Sequence, residues 1–319
     1  MDNYIFVFII LAFISYLYLK VAQKLNIIDK PNHRSSHKND TIRGGGILFL
    51  VSILLFFIFN DFKYPYFIFG TTLIAIVSFV DDLKTLSSNL RLPFQFIAVS
   101  CVFYQLDLIF FPIYFMPLII IIGVGFINVY NFMDGINGIT GLYSISVLIG
   151  FYLINNEVSV VSNELIVYLF ISLLVFGFYN FRKKARFFAG DIGSITIGMA
   201  ILFLGLILVK ESESPLILFS IVVYGTDTIL TMFYRKFKKE KLSEAHRLHI
   251  YQKIVDVLKM SHLKVSISYF LIQLIVNLII YYCYQFDVIN QIWIMFALSL
   301  FFILLYIYLF KYINKKLLN

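Results

Sequence analysis

Apolar runs long enough to cross a lipid bilayer, roughly 17–25 residues each, recur from one end of this 319-residue chain to the other. About eleven are present, beginning near residues 4, 44, 66, 93, 113, 139, 164, 194, 215, 264 and 291. A bilayer interior offers no water to backbone N–H and C=O groups, so runs of this kind are expected to close their hydrogen bonds as helices. They predict an all-α integral membrane protein with about eleven transmembrane helices. Composition agrees: 61% of residues are hydrophobic and 14% charged, a balance far from that of a soluble domain. Only Asp2 precedes the first run, where a signal peptide has a basic region, and no small-residue cleavage site follows, so this run is expected to stay as a helix. Cys101 and Cys283 fall inside predicted spans, which gives neither a disulfide framework nor metal-ligand spacing. With no internal repeat and no change of composition, residues 1–319 read as one polytopic membrane domain.

An odd number of spans puts the termini on opposite sides. With the N-terminus outside (periplasmic), one face receives residues 20–43, 81–92, 131–138, 182–193, 235–264 and the tail after 311. Every Lys and Arg except Lys63 and Lys210 then lies on that face, which is the positive-inside asymmetry. The reading is therefore N-terminus outside, C-terminus cytoplasmic. The net charge of +8 suits basic loops that meet anionic lipid or an anionic substrate, and needs no nucleic acid. The longest polar segment, 235–263, repeats Leu248, Ile250, Ile254, Val255 and Leu258 at roughly helical spacing, which predicts a short interfacial amphipathic helix.

The polar clusters share that face. They are "PNHRSSHKNDTIRGGG" at 31–46, "DDLKTLSSN" at 81–89, "NVYNFMDGINGITG" at 128–141, "RKKARFFAGDIGS" at 182–194 and "EAHRLHIYQ" at 244–252. A one-sided site fits an enzyme with a cytoplasmic substrate. A cation-coupled transporter, the alternative class, would place ionisable groups along the midplane, where little beyond Asp227 is found.

Asp81 and Asp82 close an inward-running helix, where the macrodipole disfavours carboxylates. They are either solvated loop residues or a pair whose repulsion a divalent cation offsets. Asp134 repeats the situation at the end of the fifth span, and Asp191 in "GDIGS" is either an N-cap or a further ligand. Four acidic residues beside basic loops suggest phosphate chemistry, because Mg²⁺ is usually held by one or two carboxylates plus substrate phosphates. Gly135, Gly138 and Gly141 allow turns or close approach to a ligand, and Gly190 and Gly193 flank Asp191 at a helix start suited to an anion. His246, Arg247 and His249 are better placed to donate to phosphate than to bind zinc, having no third ligand at useful spacing. His33, Arg34 and His37 read as phosphate contacts or as an ordinary basic loop. Phe188 is either packing or a stacking surface for a flat base. Asp227 lies inside the ninth span and must face the bundle interior, as a structural or a functional group.

These clusters resemble, in order and through nearly the whole chain, the motifs of the polyprenyl-phosphate N-acetylhexosamine-1-phosphate transferases, glycosyltransferase family 4. "DDLKTLS" is similar to that superfamily's Asp-Asp segment, "NVYNFMDGINGITG" to its Asn-x-x-Asn-x-x-Asp-Gly segment, "FFAGDIGS" to its Gly-Asp-x-Gly-Ser segment and "HRLHIYQ" to its histidine motif. The resemblance implies ten or eleven spans and transfer of a sugar phosphate from a UDP-sugar to a polyprenyl phosphate with release of UMP. It implies Asp81, Asp82 and Asp191 as catalytic residues, with Asp191 and Asp82 holding Mg²⁺, or Mn²⁺ in its place. Asn128, Asn131, Asp134, Asn137, Asn180, Phe188 and Arg43 would form the nucleotide-sugar surface, and His246, Arg247 and His249 would hold the diphosphate. Asn180 stands one residue farther from the Gly-Asp pair than the pattern expects, and Ala189 replaces a common Met.

The implied chemistry is direct attack of the lipid phosphate on the β-phosphorus, with an aspartyl-sugar-phosphate intermediate as the rival. The muramoyl-pentapeptide branch carries consecutive histidines, whereas Arg247 and Leu248 separate His246 from His249 here. The pattern therefore points to the branch that starts surface glycans such as O-antigen from UDP-N-acetylglucosamine or a close, including 6-deoxy, relative. Phospho-N-acetylmuramoyl-pentapeptide transfer is the alternative, and a monomer and a homodimer both remain open.

Overall fold

A computed structural model describes residues 2–29, 40–108, 113–241 and 246–318. His33, Arg34, His37 and Glu244 lie outside the described residues. The elements, in order, are α1 (Asp2–Lys24), β1 (Ile28–Asp29), β2 (Thr41–Ile42), α2 (Ile47–Phe59), α3 (Pro65–Leu83), α4 (Ser88–Gln105) and α5 (Met116–Met133). There follow α6 (Ile139–Val158), α7 (Asn163–Asn180), α8 (Gly190–Ser212), a 3₁₀ segment (Pro215–Ile221) running into α9 (Val222–Phe237), α10 (Ile250–Asp256), α11 (His262–Cys283) and α12 (Val288–Leu318). Each of the eleven apolar runs of the sequence is a helix. Among the described residues nine are long and apolar enough to cross a membrane. The protein is an all-α integral membrane protein. Helices α2 and α4 fall short for different reasons: α2 has 13 residues, about 20 Å at 1.5 Å per residue, and α4 carries Asn89, Arg91, Pro93 and Gln95.

Helix α8 is the axis of the bundle: 83% of its most apolar window is buried, against 11% for α12, which lies at the periphery. It packs against α2, α3, α5 and α6. Only small residues allow the approach of α2 to α8, since a Cβ on Gly46 would stand 2.1 Å from the Gly193 Cα. Helices α6 and α11 are joined by polar groups. The Tyr143 hydroxyl donates to Gln273 Oε1 (2.6 Å), Gln273 Nε2 to Asn277 Oδ1 (3.1 Å), and Asn277 Nδ2 to the Ser146 carbonyl (2.9 Å). Between helices in lipid such bonds supply cohesion that apolar burial cannot.

Cross-links between loops bring the six segments expected on one face to one end of the bundle. Arg43 approaches Asp82, Asn137 reaches the Arg182 carbonyl, the Tyr251 hydroxyl donates to the Phe132 carbonyl, and Lys253 Nζ donates to Asn314 Oδ1 near the end of α12. Two details differ from the sequence reading. A two-residue antiparallel pair, Ile28↔Ile42 and Asp29↔Thr41, closes the first loop, and Ile42 also bridges to Phe187. Residues 250–256 do form a helix, but Ile250, Tyr251, Gln252 and Lys253 are all buried, so α10 is packed into the bundle rather than lying on an interface.

Candidate active site

The carboxylates of Asp81, Asp82 and Asp191 meet where the end of α3 faces the start of α8. Asp82 Oδ1 accepts the Asp191 N–H (3.0 Å) and Oδ2 the Ile192 N–H (3.1 Å). The sequence offered Asp191 as the N-cap of its own helix. The capping carboxylate is Asp82, contributed from α3, while Asp191 lies in the first turn. The positive end of α8 offsets part of the electrostatic difficulty of an acidic pair at a helix C-terminus. The fit depends on Gly190. Its φ is +72°, and a Cβ there would lie 2.5 Å from Asp82 Oδ2.

Asp81 faces a different set of donors. Its Oδ1 accepts the Leu86 N–H (2.5 Å), and its Oδ2 takes Arg91 Nη1 at 2.7 Å. The same nitrogen lies 3.4 Å from Asp191 Oδ2, so the guanidinium bridges the two carboxylates. Arg91 escaped the sequence reading. Its only signal there is a cation ten residues after Asp81, at the head of the α4 run "LRLPFQFIAV". The Asp191 side chain is one-third exposed, whereas those of Asp81 and Asp82 are nearly closed off. Arg43 stands at the rim. Its Nη2 is 2.8 Å from Asp29, its Nε 3.9 Å from Asp82, and its carbonyl accepts the Tyr18 hydroxyl (2.6 Å).

Among the described residues no three His, Cys, Asp or Glu side chains form a ready-made metal site. The donor set nevertheless suits Mg²⁺: two carboxylates, Asp81 and Asp191, turn toward one cationic nitrogen, with room on Asp191 for further ligands. Both oxygens of Asp82, the residue paired with Asp191 by the resemblance, already accept backbone N–H groups.

The second group lies between α5 and α6. Asp134 Oδ1 accepts the Thr140 hydroxyl (2.6 Å). Close packing of protein around this partly buried carboxyl pushes its pKa up from the ordinary 3.8 to about 7, against the opposing Thr140 hydrogen bond and with a smaller contribution from Asp82. Asn137 Nδ2 donates to the carbonyls of Arg182 (3.0 Å) and Lys183 (3.3 Å), and Asn180 is engaged on both sides, by the Gly138 N–H (2.7 Å) and the Phe187 carbonyl (2.7 Å). These two amides therefore brace the loops that shape the site. Asn128 lies deeper, in a reciprocal amide pair with Gln95 of α4. Asn131 and Phe188 are half-buried, and the backbone of Phe188 is tied to Ile42 and Gly45.

The third group precedes α10. Arg247 is clamped by Asp256 through two 2.8 Å contacts, His249 is buried against Asp227, and the His246 and His249 rings are 4.9 Å apart. Burial, followed by the neighbouring His249 and Arg235, lowers the His246 pKa from 6.5 to about 4, so this imidazole is neutral at pH 7. Tyr251 links the group to the second one through its bond to the Phe132 carbonyl (3.1 Å).

Residues 64–209, which hold Asp81, Asp82, Asp134 and Asp191, match the model of glycosyl transferase family 4. The match covers 146 of the 319 residues, a little under half of the chain. It is similar to the probable undecaprenyl-phosphate N-acetylglucosaminyl 1-phosphate transferase of Bacillus subtilis (strain 168), at 26% identity over 264 residues, covering 74% of this chain and 72% of that protein. It is also similar to the phospho-N-acetylmuramoyl-pentapeptide-transferase of Staphylococcus carnosus, at 28% identity with 66% and 76% covered. The enzyme of the same name from Streptococcus pyogenes serotype M18 is 32% identical over 149 residues, 46% of this chain and 42% of that protein. The family match stops short of Arg43 and of the His246–His249 segment, so the likeness to that family rests on the carboxylate half of the site.

Proposed function

We propose that the chain transfers N-acetylhexosamine 1-phosphate from a UDP-sugar to a polyprenyl phosphate, releasing UMP. The observation that carries this reading is the convergence of Asp81, Asp82 and Asp191 with Arg91 and Arg43 at the positive end of α8, at the end of the bundle where the basic loops gather. An acceptor phosphate oxygen attacks the β-phosphorus of the donor. The new P–O bond forms as the bond to the UMP oxygen breaks. Asp191 and Asp81 would hold Mg²⁺, with Asp82 behind them; when bound, the ion neutralises charge on the diphosphate. Asp81 is the member of the acidic pair with an oxygen turned into the site, and takes the acceptor's proton where the acceptor arrives protonated. Arg91 and Arg43 supply fixed positive charge for the phosphates, and Asp134 faces the nucleotide-sugar.

The separation of His246 from His249 by Arg247 and Leu248 supports UDP-N-acetylglucosamine or a close relative as donor, at the start of a surface glycan. Purified protein incubated with undecaprenyl phosphate and either UDP-N-acetylglucosamine or UDP-N-acetylmuramoyl-pentapeptide decides this by UMP release. Preference for the pentapeptide donor would reverse the choice of branch. The distribution of Lys and Arg supports a cytoplasmic site in a bacterial inner membrane, with the N-terminus periplasmic. A reporter fused at the C-terminus and active only in the periplasm would overturn that orientation.

A further inference from the structure

Asp227 is buried inside α9, a position where a carboxylate turned toward lipid would be strongly disfavoured. Its surroundings consist of donors. Oδ1 accepts the Ile250 N–H (2.9 Å) and the Thr231 hydroxyl (3.3 Å); Oδ2 accepts the Tyr269 hydroxyl (2.8 Å) and the Tyr251 N–H (3.4 Å). Ile250 and Tyr251 open α10, whose first N–H groups have no acceptor within the helix. A seven-residue helix does not hold itself together, so this cap from α9 determines where α10 starts and hence where the preceding histidines stand.

The cap does not account for everything. Oδ1 also lies 3.4 Å from His249 Nδ1, and the His249 ring is itself buried, lying nearly parallel to that of Tyr251. A carboxylate offers only acceptors, so the nitrogen that meets it must carry hydrogen. Nε2 is the nitrogen left for a ligand. A diphosphate oxygen also only accepts, and a neutral ring with its single proton on Nδ1 has nothing to give it. A ring that serves both partners carries two protons, and a buried carboxylate behind it is the group that stabilises that form.

We propose that Asp227 is a positioning residue for sugar-phosphate transfer, holding His249 through Nδ1 so that Nε2–H of an imidazolium is presented to the donor's diphosphate. This rests on the reading that the segment from His246 to His249 meets the diphosphate. Asp227 touches no substrate and acts through His249.

The test uses full-length protein labelled with ¹⁵N-histidine. The chain has five histidines, and His249 is assigned by its loss in H249N. In substrate-free wild type, Nδ1 of His249 should be protonated; with UDP-N-acetylglucosamine bound, both nitrogens should be. Asp227→Asn keeps an oxygen for the Ile250 N–H but removes the charge. It should leave His249 singly protonated with donor bound and raise the donor KM about tenfold, the difference between a charge-assisted and a neutral hydrogen bond. In an H249N background the same substitution should change KM less than twofold. Tyr269→Phe, which removes a 2.8 Å bond but no charge, should lower the thermal midpoint while leaving the His249 nitrogens and KM as in wild type. An unprotonated Nδ1 in wild type overturns the proposal, and this reading needs no variant to fold. So do wild-type nitrogens and KM in D227N, or full additivity of D227N with H249N. The substrate-free spectrum involves no turnover, whereas the donor reading stands or falls on UMP release, so the two failures are told apart.

Discussion

Asp82→Asn separates a structural from a metal-binding role for the acidic pair. Two backbone N–H groups of α8 donate to the Asp82 carboxylate at 3.0 and 3.1 Å. Hydrogen bonds to a charged acceptor contribute about 1.5–3 kcal/mol each, against about 1 kcal/mol for a neutral one. The asparagine keeps a single oxygen, so it retains one neutral bond and turns its NH₂ group toward the other N–H. It also loses the attraction of a carboxylate for a helix N-terminus, about 0.3–1 kcal/mol. These losses sum to about 2–6 kcal/mol; relief of the cost of burying a charge returns part of that, leaving a net loss that should appear without any metal. Asp191→Asn provides the contrast, because that side chain caps nothing and is one-third exposed. Thermal unfolding of both variants in detergent, in EDTA and again in Mg²⁺, reads the difference. D82N should unfold at a lower temperature than wild type in both conditions, whereas D191N should not fall below wild type in EDTA and should lose the stabilisation that Mg²⁺ brings. A D82N variant as stable as wild type in EDTA would refute the capping role.

Gly190→Ala should destabilise the same junction, by about 1–2 kcal/mol for the left-handed backbone alone, and lower activity because its Cβ displaces the Asp82 carboxylate; wild-type stability and turnover would contradict the geometry. Arg91→Gln removes the cation between Asp81 and Asp191, so its thermal midpoint should fall further below wild type in EDTA than in Mg²⁺, which can take over the compensation. Asp134 should titrate near pH 7 in substrate-free protein, visible as a protonated-carboxyl band in the infrared difference between wild type and D134N. A carboxyl raised in this way stabilises the fold most below its unfolded value and loses that contribution as pH rises toward about 7. Stability should therefore decline from about pH 4 to 7 in wild type and less so in D134N, and a midpoint in the ordinary carboxylate range would contradict the burial argument.

The sequence by itself determined the class of fold. Recurrent apolar runs leave the backbone no option but helices, and the alternation of polar segments between them determined which loops share an end, since each helix reverses the chain. It also marked Asp81, Asp82, Asp134 and Asp191, because carboxylates at the ends of apolar helices are costly enough to need a reason. Which donor satisfies each carboxylate could not be read this way, because the partners are far apart in the chain: Asp82 caps a helix that begins 108 residues later, and Asp227 one that begins 23 residues later across a loop. Local signals assign a cap to the nearest suitable side chain, which is why Asp191 stands in the sequence as a candidate cap of α8 as well as a candidate ligand. The roles of Asn137 and Asn180 as loop braces, and of Arg91 as the bridge between Asp81 and Asp191, likewise depend on where several helices end relative to one another. That relation is decided by packing around α8, where small residues such as Gly46 and Gly193 let backbones approach and so fix the distances at the site to within a hydrogen bond.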